Sequence, residues 1–157
     1  MLEFSADIQG ISKAKREATK LLKQKCKCNQ DDLVTINTTL DELLFNIVEH
    51  STNGFNTFKL DCKVSDLMIE FYISDCDLIS IRSKRVTRIT KNDIMQNRKK
   101  NNGGNGLSMV ENMTDNLEIY KVQKGGNGRA GGYIIKMVKC LNGCAYSPLL
   151  ESQCVAV

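Results

Sequence analysis

Two segments of the chain repeat apolar side chains at helical spacing. From Ile11 to about Cys26, apolar positions recur every three or four residues among lysines, which predicts an amphipathic helix. A polar break follows, in which Asp31 or Asp32 can cap the next helix. That second helix is expected to end at the turn Thr52-Asn53-Gly54. Its apolar stripe consists of Leu33, Ile36, Leu40, Leu43, Leu44, Ile47 and Val48.

Five other segments have the character of strands. Phe4 to Ile8 predicts a short first strand. Thr57 to Val64 and Leu67 to Ser74 are separated by only two residues, and a connection of that length predicts an antiparallel hairpin. Leu117 to Val122 and Tyr133 to Val138 predict a second hairpin around a glycine-rich loop.

The order of these elements predicts the fold class. It is strand, helix, helix, two strands, helix, two strands, with the third helix opened by Gly103-Gly104-Asn105-Gly106. We expect an α+β fold, an α/β sandwich in which a mixed, mainly antiparallel sheet carries its helices on one face. A doubly wound parallel sheet does not fit, because the strands come in adjacent pairs. Residues 79–102 give no clear pattern, and neither does the tail from Cys140 to Val157.

Composition favours one globular domain in a reducing compartment. The 157 residues are 41% hydrophobic and contain no apolar run approaching the ~20 residues of a membrane span. The N-terminus does not resemble a signal peptide, so we expect a cytoplasmic protein without membrane contact, its seven cysteines being free thiols. A zinc site at Cys26-Lys27-Cys28 and Cys140 to Cys144 is a weaker alternative, because these spacings differ from the common pairs.

The net charge of +4 is concentrated between Arg82 and Lys100, where eight basic residues face only Asp93. Such a cluster indicates an anionic partner, most simply phosphate, although a solvated loop explains it too. The cluster lacks the interleaved aromatic residues on which bases stack, so we do not expect a nucleic-acid partner.

Three polar side chains of the second helix stand four residues apart, at Glu42, Asn46 and His50. This spacing places them on one flank, beside the apolar stripe. The amide oxygen of Asn46 suits Mg²⁺, and Glu42 could accept a proton from an attacking hydroxyl or water. A polar flank that meets only solvent would have the same spacing.

Two loops could complete a phosphate or nucleotide site. The glycines of Gly103-Gly104-Asn105-Gly106-Leu107-Ser108 would let backbone N–H groups approach an anion at a helix N-terminus, although glycines are also common in turns. Asp75 directly follows a strand, where its carboxylate could accept a hydrogen bond from an exocyclic amine such as that of adenine. An Asp in an ordinary turn is the alternative.

The order of these motifs resembles the GHKL ATPase superfamily, and most closely the bacterial anti-sigma-factor serine kinases. Leu40 to Ser51 resembles the N box of that family, Gly103 to Val110 its second glycine box, and Met113 to Leu117 the segment that follows. The resemblance runs from about Phe4 to Lys139. It therefore implies a histidine-kinase-like ATPase domain over residues 1–139 and a separate tail over residues 140–157.

The resemblance also implies roles. Glu42 would be the general base and Asn46 the Mg²⁺ ligand, while Asp75 would bind adenine. The family transfers phosphate from ATP to a serine of an anti-anti-sigma protein of the STAS type and sequesters a sigma factor, usually as a homodimer. The nucleotide-binding set implied in this way is Asn46, His50, Asp75, Asp77, Gly103, Gly104, Asn105, Gly106 and Leu107.

One position departs from the family pattern. The first glycine box is roughly D-x-G, whereas this chain has Asp75-Cys76-Asp77, so a carboxylate stands where glycine is expected. Its bulk and charge lie near the expected nucleotide. A degenerate module, which keeps the fold and a protein partner without catalysis, is therefore the alternative to an active kinase.

Overall fold

We describe a computed structural model of the chain over residues 1–26, 28–50, 56–76, 84–90, 93, 106–123, 131–148 and 155–156; of His50, Val155 and Ala156 only the backbone is described. Within these ranges three helices accompany one sheet. In chain order the elements are β1 (Leu2–Ser5), α1 (Ile8–Lys25), α2 (Gln30–His50), β2 (Thr57–Val64), β3 (Met68–Ser74), β4 (Val86–Ile89), α3 (Gly106–Met113), β5 (Asn116–Val122), β6 (Gly132–Cys140) and β7 (Val155–Ala156).

The sheet has the order β1-β2-β3-β6-β5-β4, and every described pair of neighbours is antiparallel. The two predicted hairpins are therefore confirmed, and pairing of β3 with β6 joins them into one sheet. Strand β7 pairs with β2 through Lys63 and Val64. One edge of β2 at Lys63 and Val64 is already paired with β3. Strand β7 therefore pairs with the other edge of β2, the edge that β1 also uses.

One apolar core lies between the helices and a single face of the sheet. The stripe of α2 meets alternate residues of the central strands, such as Phe71, Ile73 and Met137, while Leu107 and Val110 attach α3 to the same core. Since strand side chains alternate between faces, this common core places all three described helices on one side. The predicted α+β sandwich is confirmed. None of the described helices is long and apolar enough to cross a lipid bilayer.

The opposite face of the sheet carries ion pairs. Glu70 of β3 is only 1% exposed and lies 3.6 Å from the Lys63 ammonium group. Glu118 of β5 contacts both Lys136 at 3.5 Å and Arg88 at 2.9 Å. The first pair links β2 with β3, and the two contacts of Glu118 link β5 with both β4 and β6. Charge pairing across strands therefore accompanies apolar packing in this sheet.

The structure corrects the predicted start of the second helix. The Asn29 side chain accepts a hydrogen bond from the Asp32 N–H at 2.7 Å, so Asn29 is the cap and Asp31 and Asp32 lie in the first turn. Asp32 instead accepts from the Asn142 N–H at 2.7 Å, a tertiary contact that the local sequence does not reveal. The predicted end at Thr52-Asn53-Gly54 lies outside the described residues.

Strand β4 was not predicted. Thr87 and Arg88 are exposed at this edge of the sheet, so its four residues lack apolar alternation. The first strand also lies earlier than expected, because Asp7 caps α1 by accepting from the Gly10 N–H at 2.7 Å. An N-cap ends the preceding strand, so Ile8 belongs to the helix.

Candidate functional site

The polar flank of α2 is a bonded pair rather than a row of solvated side chains. Asn46 is 8% exposed, and its Nδ2 donates to Glu42 Oε1 at 2.7 Å and to the Glu42 backbone oxygen at 2.6 Å. A carboxylate accepts only from the amide nitrogen, so this contact orients the Asn46 carboxamide with its oxygen turned away from Glu42. Helix α2 ends at His50, whose side chain lies outside the described residues.

Gly106 brings the glycine motif against the same carboxylate. A Cβ atom placed on Gly106 would lie 1.6 Å from Glu42 Oε1 and 2.1 Å from Glu42 Cδ. Only glycine therefore allows the first residue of α3 to approach Glu42 this closely. The next residue, Leu107, is buried in the main core and fixes the N-terminus of α3 in position. Gly103, Gly104 and Asn105 lie outside the described residues.

The N-terminus of α3 has the chemistry of an anion site. The first N–H groups of a helix have no partner within the helix, and its dipole places partial positive charge there. Neither Asp nor Glu occupies the first turn of α3. Glu42 Oε1 lies beside Gly106, so the geometry places the Glu42 carboxylate at this positive helix N-terminus.

Asp75 is held at the end of β3 by the strand next to it. It continues the β3–β6 register, its N–H donating to the Tyr133 oxygen at 3.3 Å and its Oδ1 accepting from the Tyr133 N–H at 2.6 Å. The residue is 3% exposed, and no described residue donates a hydrogen bond to its Oδ2. Burial raises the pKa of Asp75, and the Tyr133 N–H only partly opposes this shift.

A buried carboxylate oxygen without a donor is costly, so Asp75 is suited to a ligand that supplies one. An exocyclic amine, such as that of adenine, has the required N–H. Asp75 Oδ2 therefore fits the exocyclic amine of a purine. Asp77, which departs from the family pattern, lies outside the described residues.

The basic segment is described only in part. The Arg85 guanidinium donates to the Gln123 backbone oxygen at 2.8 Å, and Arg88 forms its ion pair with Glu118. Both contacts attach β4 to β5, so these two cations help to build the sheet edge. Arg82, Lys91, Arg98, Lys99 and Lys100 lie outside the described residues.

In the structure the Glu42 carboxylate contacts both Asn46 and the backbone at Gly106. The described hydrogen bonds of Asp75 go instead to β6. Sequence reasoning missed Tyr133, whose backbone holds the Asp75 carboxyl. The register of β3 against β6 would have identified Tyr133, but the two strands are far apart in the chain and no turn sets their pairing.

Comparison with known proteins identifies a family for this chain. No curated protein matches the chain. The family model of the histidine kinase-like ATPase domain matches residues 4–138, a span that contains Glu42, Asn46, Asp75 and Gly106. Binding of ATP is the activity that such a domain implies. The chain, matched over most of its length, therefore belongs to the histidine kinase-like ATPase domain family.

Proposed function

We propose that this protein is an ATP-dependent protein-serine kinase of the anti-sigma-factor type. The observation that carries the proposal is the contact of Asn46 and Gly106 with one carboxylate, that of Glu42. A base placed between a Mg²⁺ ligand and a phosphate-binding helix N-terminus is what phosphoryl transfer requires, because this reaction depends mainly on positioning and charge neutralisation.

In this proposal each residue has a separate task. Asp75 Oδ2 accepts a hydrogen bond from the adenine amine. This hydrogen bond selects ATP over a nucleotide whose base lacks that donor. The Asn46 oxygen would hold Mg²⁺, which supplies positive charge to the phosphates. Glu42 Oε1, held by Asn46 Nδ2, accepts the proton of the attacking serine hydroxyl.

The proposed partners follow from the family resemblance. The phosphate acceptor is a serine of an anti-anti-sigma protein of the STAS type, and the second partner is a sigma factor or a similar regulator. We place the protein in the cytoplasm and expect it to act as a homodimer. Co-purification with a STAS protein, followed by transfer of labelled phosphate to one serine, tests these assignments.

Calorimetric titration with ATP, with and without Mg²⁺, tests the site directly. The wild-type protein should bind more tightly with Mg²⁺, and Asn46→Ala should remove this difference. Asn37→Ala is the matched control, because Asn37 also donates to the backbone oxygen four residues earlier on α2 but has its other contact with Thr19 of α1. An unchanged Mg²⁺ response in Asn46→Ala would refute the assignment.

The alternative is a degenerate module that binds a protein partner without catalysis, and Asp77 is the observation that favours it. If the Asp77 carboxylate opposes the nucleotide, Asp77→Gly should tighten ATP binding. Wild-type protein that shows no heat of ATP binding, together with a tight complex in Asp77→Gly, would establish the degenerate module. Equal affinities would show that Asp77 does not contact the nucleotide.

A further inference from the structure

A groove with a volume of about 560 Å³ lies between the start of α1 and the last turns of α2. Four apolar side chains and two carboxylates line this surface, the α1–α2 groove: Ile8, Ile11, Phe45, Val48, Asp7 and Glu49. Its volume is within the range of roughly 300–1,000 Å³ that is usual for ligand sites. The α1–α2 groove is therefore large enough to receive side chains of a binding partner.

Two apolar side chains of the α1–α2 groove are exposed to solvent. Ile8 is 73% exposed and Phe45 is 50% exposed. Ile11 is buried in the main core, and Val48 packs against that core, so the exposed pair adjoins further apolar surface. A single exposed apolar residue needs no explanation, but apolar side chains gathered around one groove are typical of a binding surface.

The charge of the groove is opposite to that of the whole chain. The net charge is +4, whereas the charged residues among the described groove lining are Asp7 and Glu49. The Gly10 N–H, which donates to Asp7 Oδ1 at 2.7 Å, lowers the pKa of the Asp7 carboxyl group, so this group is ionised at neutral pH. Glu49 lies in the last turn of α2, where the helix dipole adds negative potential. The groove therefore favours a cation.

We propose that the α1–α2 groove binds a segment of a partner protein in which an apolar side chain is flanked by Lys or Arg. The apolar side chain lies against Ile8 and Phe45, and the cations meet Asp7 on the α1 side and Glu49 on the α2 side. An amphipathic helix that lays its apolar face into a groove is a common mode of peptide recognition. Removal of the exposed apolar pair from water supplies affinity, and the two carboxylates supply the preference for a basic segment.

Other occupants fit these observations less well. Nucleic acids and anionic lipid surfaces carry negative charge, which the two carboxylates repel. A second copy of the chain offers a lysine-rich α1, but the apolar side of that helix is buried in its own core through Ile11, Ala14 and Leu22. A basic segment with an accessible apolar side chain is therefore expected from a different protein.

The inference does not rest on the proposed kinase activity. None of the described residues assigned to the nucleotide lines the groove. Glu49 lies two helical turns beyond Glu42, roughly 10 Å along the axis of α2. Binding in the groove can therefore be measured without nucleotide, which distinguishes its failure from failure of the nucleotide site.

Selection from a phage-displayed library of random peptides, each of about twelve residues, tests the proposal. Wild-type protein without nucleotide is the bait, and phage that also bind Phe45→Ser are removed. The enriched peptides should combine Lys or Arg with Leu, Phe or Met. If Phe45→Ser folds poorly by circular dichroism, Ile8→Ser serves for the removal step.

Fluorescence anisotropy with one enriched peptide, labelled with fluorescein, then measures affinity. Ile8→Ser should weaken binding about 10-fold through lost apolar contact, and Glu49→Lys should weaken it at least as much through charge repulsion. Val34→Ser is the matched control and should bind as wild type does, because Val34 is also an exposed apolar residue of α2 but lies outside the groove.

Three results with peptides would overturn the proposal: no enrichment, enrichment of acidic or uncharged peptides, or wild-type affinity in both Ile8→Ser and Glu49→Lys. Two further results would assign the groove to another occupant and so overturn it as well. One is a homodimer in analytical ultracentrifugation that Phe45→Ser dissociates. The other is binding to phosphatidylserine vesicles that Phe45→Ser abolishes.

Discussion

At the scale of single residues, the buried carboxyl group of Asp75 suits ligand binding at the expense of stability. It is buried with one oxygen that no described donor satisfies. Burial raises its pKa above the usual value near 4, so folding favours the protonated form. Stability linked to this group is therefore complete at acidic pH and is lost as the pH rises through the raised pKa.

Asp75→Asn removes this titration and keeps an oxygen for the Tyr133 N–H. Relative to wild type, the variant should gain stability between about pH 4 and pH 7, as measured by urea unfolding at both values. The gain should exceed that of Asp66→Asn, which removes an exposed carboxylate. ATP affinity should fall about 10- to 100-fold, because an amide N–H₂ would face the adenine amine. An affinity equal to wild type would remove Asp75 from adenine recognition.

Gly106 offers a test of the general base through its neighbour. A methyl group at position 106 cannot coexist with the present position of the Glu42 carboxylate. If Glu42 is the base, Gly106→Ala should lower ATP turnover about 100-fold, within the range usual for general base catalysis. Adding Gly106→Ala to Glu42→Ala should cause little further loss, because both changes remove one function. If the fold-losses of the two single variants instead multiply in the double variant, Gly106 acts independently of Glu42.

At the scale of the elements, the cap of α2 is the clearest local contribution to stability. Asn29→Ala removes the acceptor of the Asp32 N–H and should lower the free energy of unfolding by about 1 kcal/mol in chemical denaturation. The control is Asp31→Asn, an exposed residue of the first turn, which should change it by less than about 0.5 kcal/mol. The reverse ranking would restore Asp31 as the cap.

The elements also show how far the sequence predicts this structure. The stripe of α2 and both hairpins were predictable, because helical periodicity and short connections are local signals. The polar edge strand β4 gave no such signal. The pairing of β3 with β6 positions Asp75, and it joins segments that are far apart in the chain. The approach of Gly106 to Glu42 also depends on tertiary packing. A single sequence gives no local signal for either contact. The motif residues could therefore be chosen in advance, but their contacts could not.

For the whole molecule, nucleotide binding should appear as stability. A ligand that binds only the folded chain adds about 2.7 kcal/mol at a concentration 100 times its Kd. For a domain of this size that corresponds to a rise of about 5–10 °C in Tm. Differential scanning fluorimetry with Mg-ATP should show this shift in wild type and lose about half of it or more in Asp75→Asn, while Asn37→Ala retains it. If the Tm of wild type does not rise at millimolar Mg-ATP, the degenerate module is the better interpretation. A folded chain that gains no stability at this concentration does not bind the nucleotide with a Kd below the millimolar range.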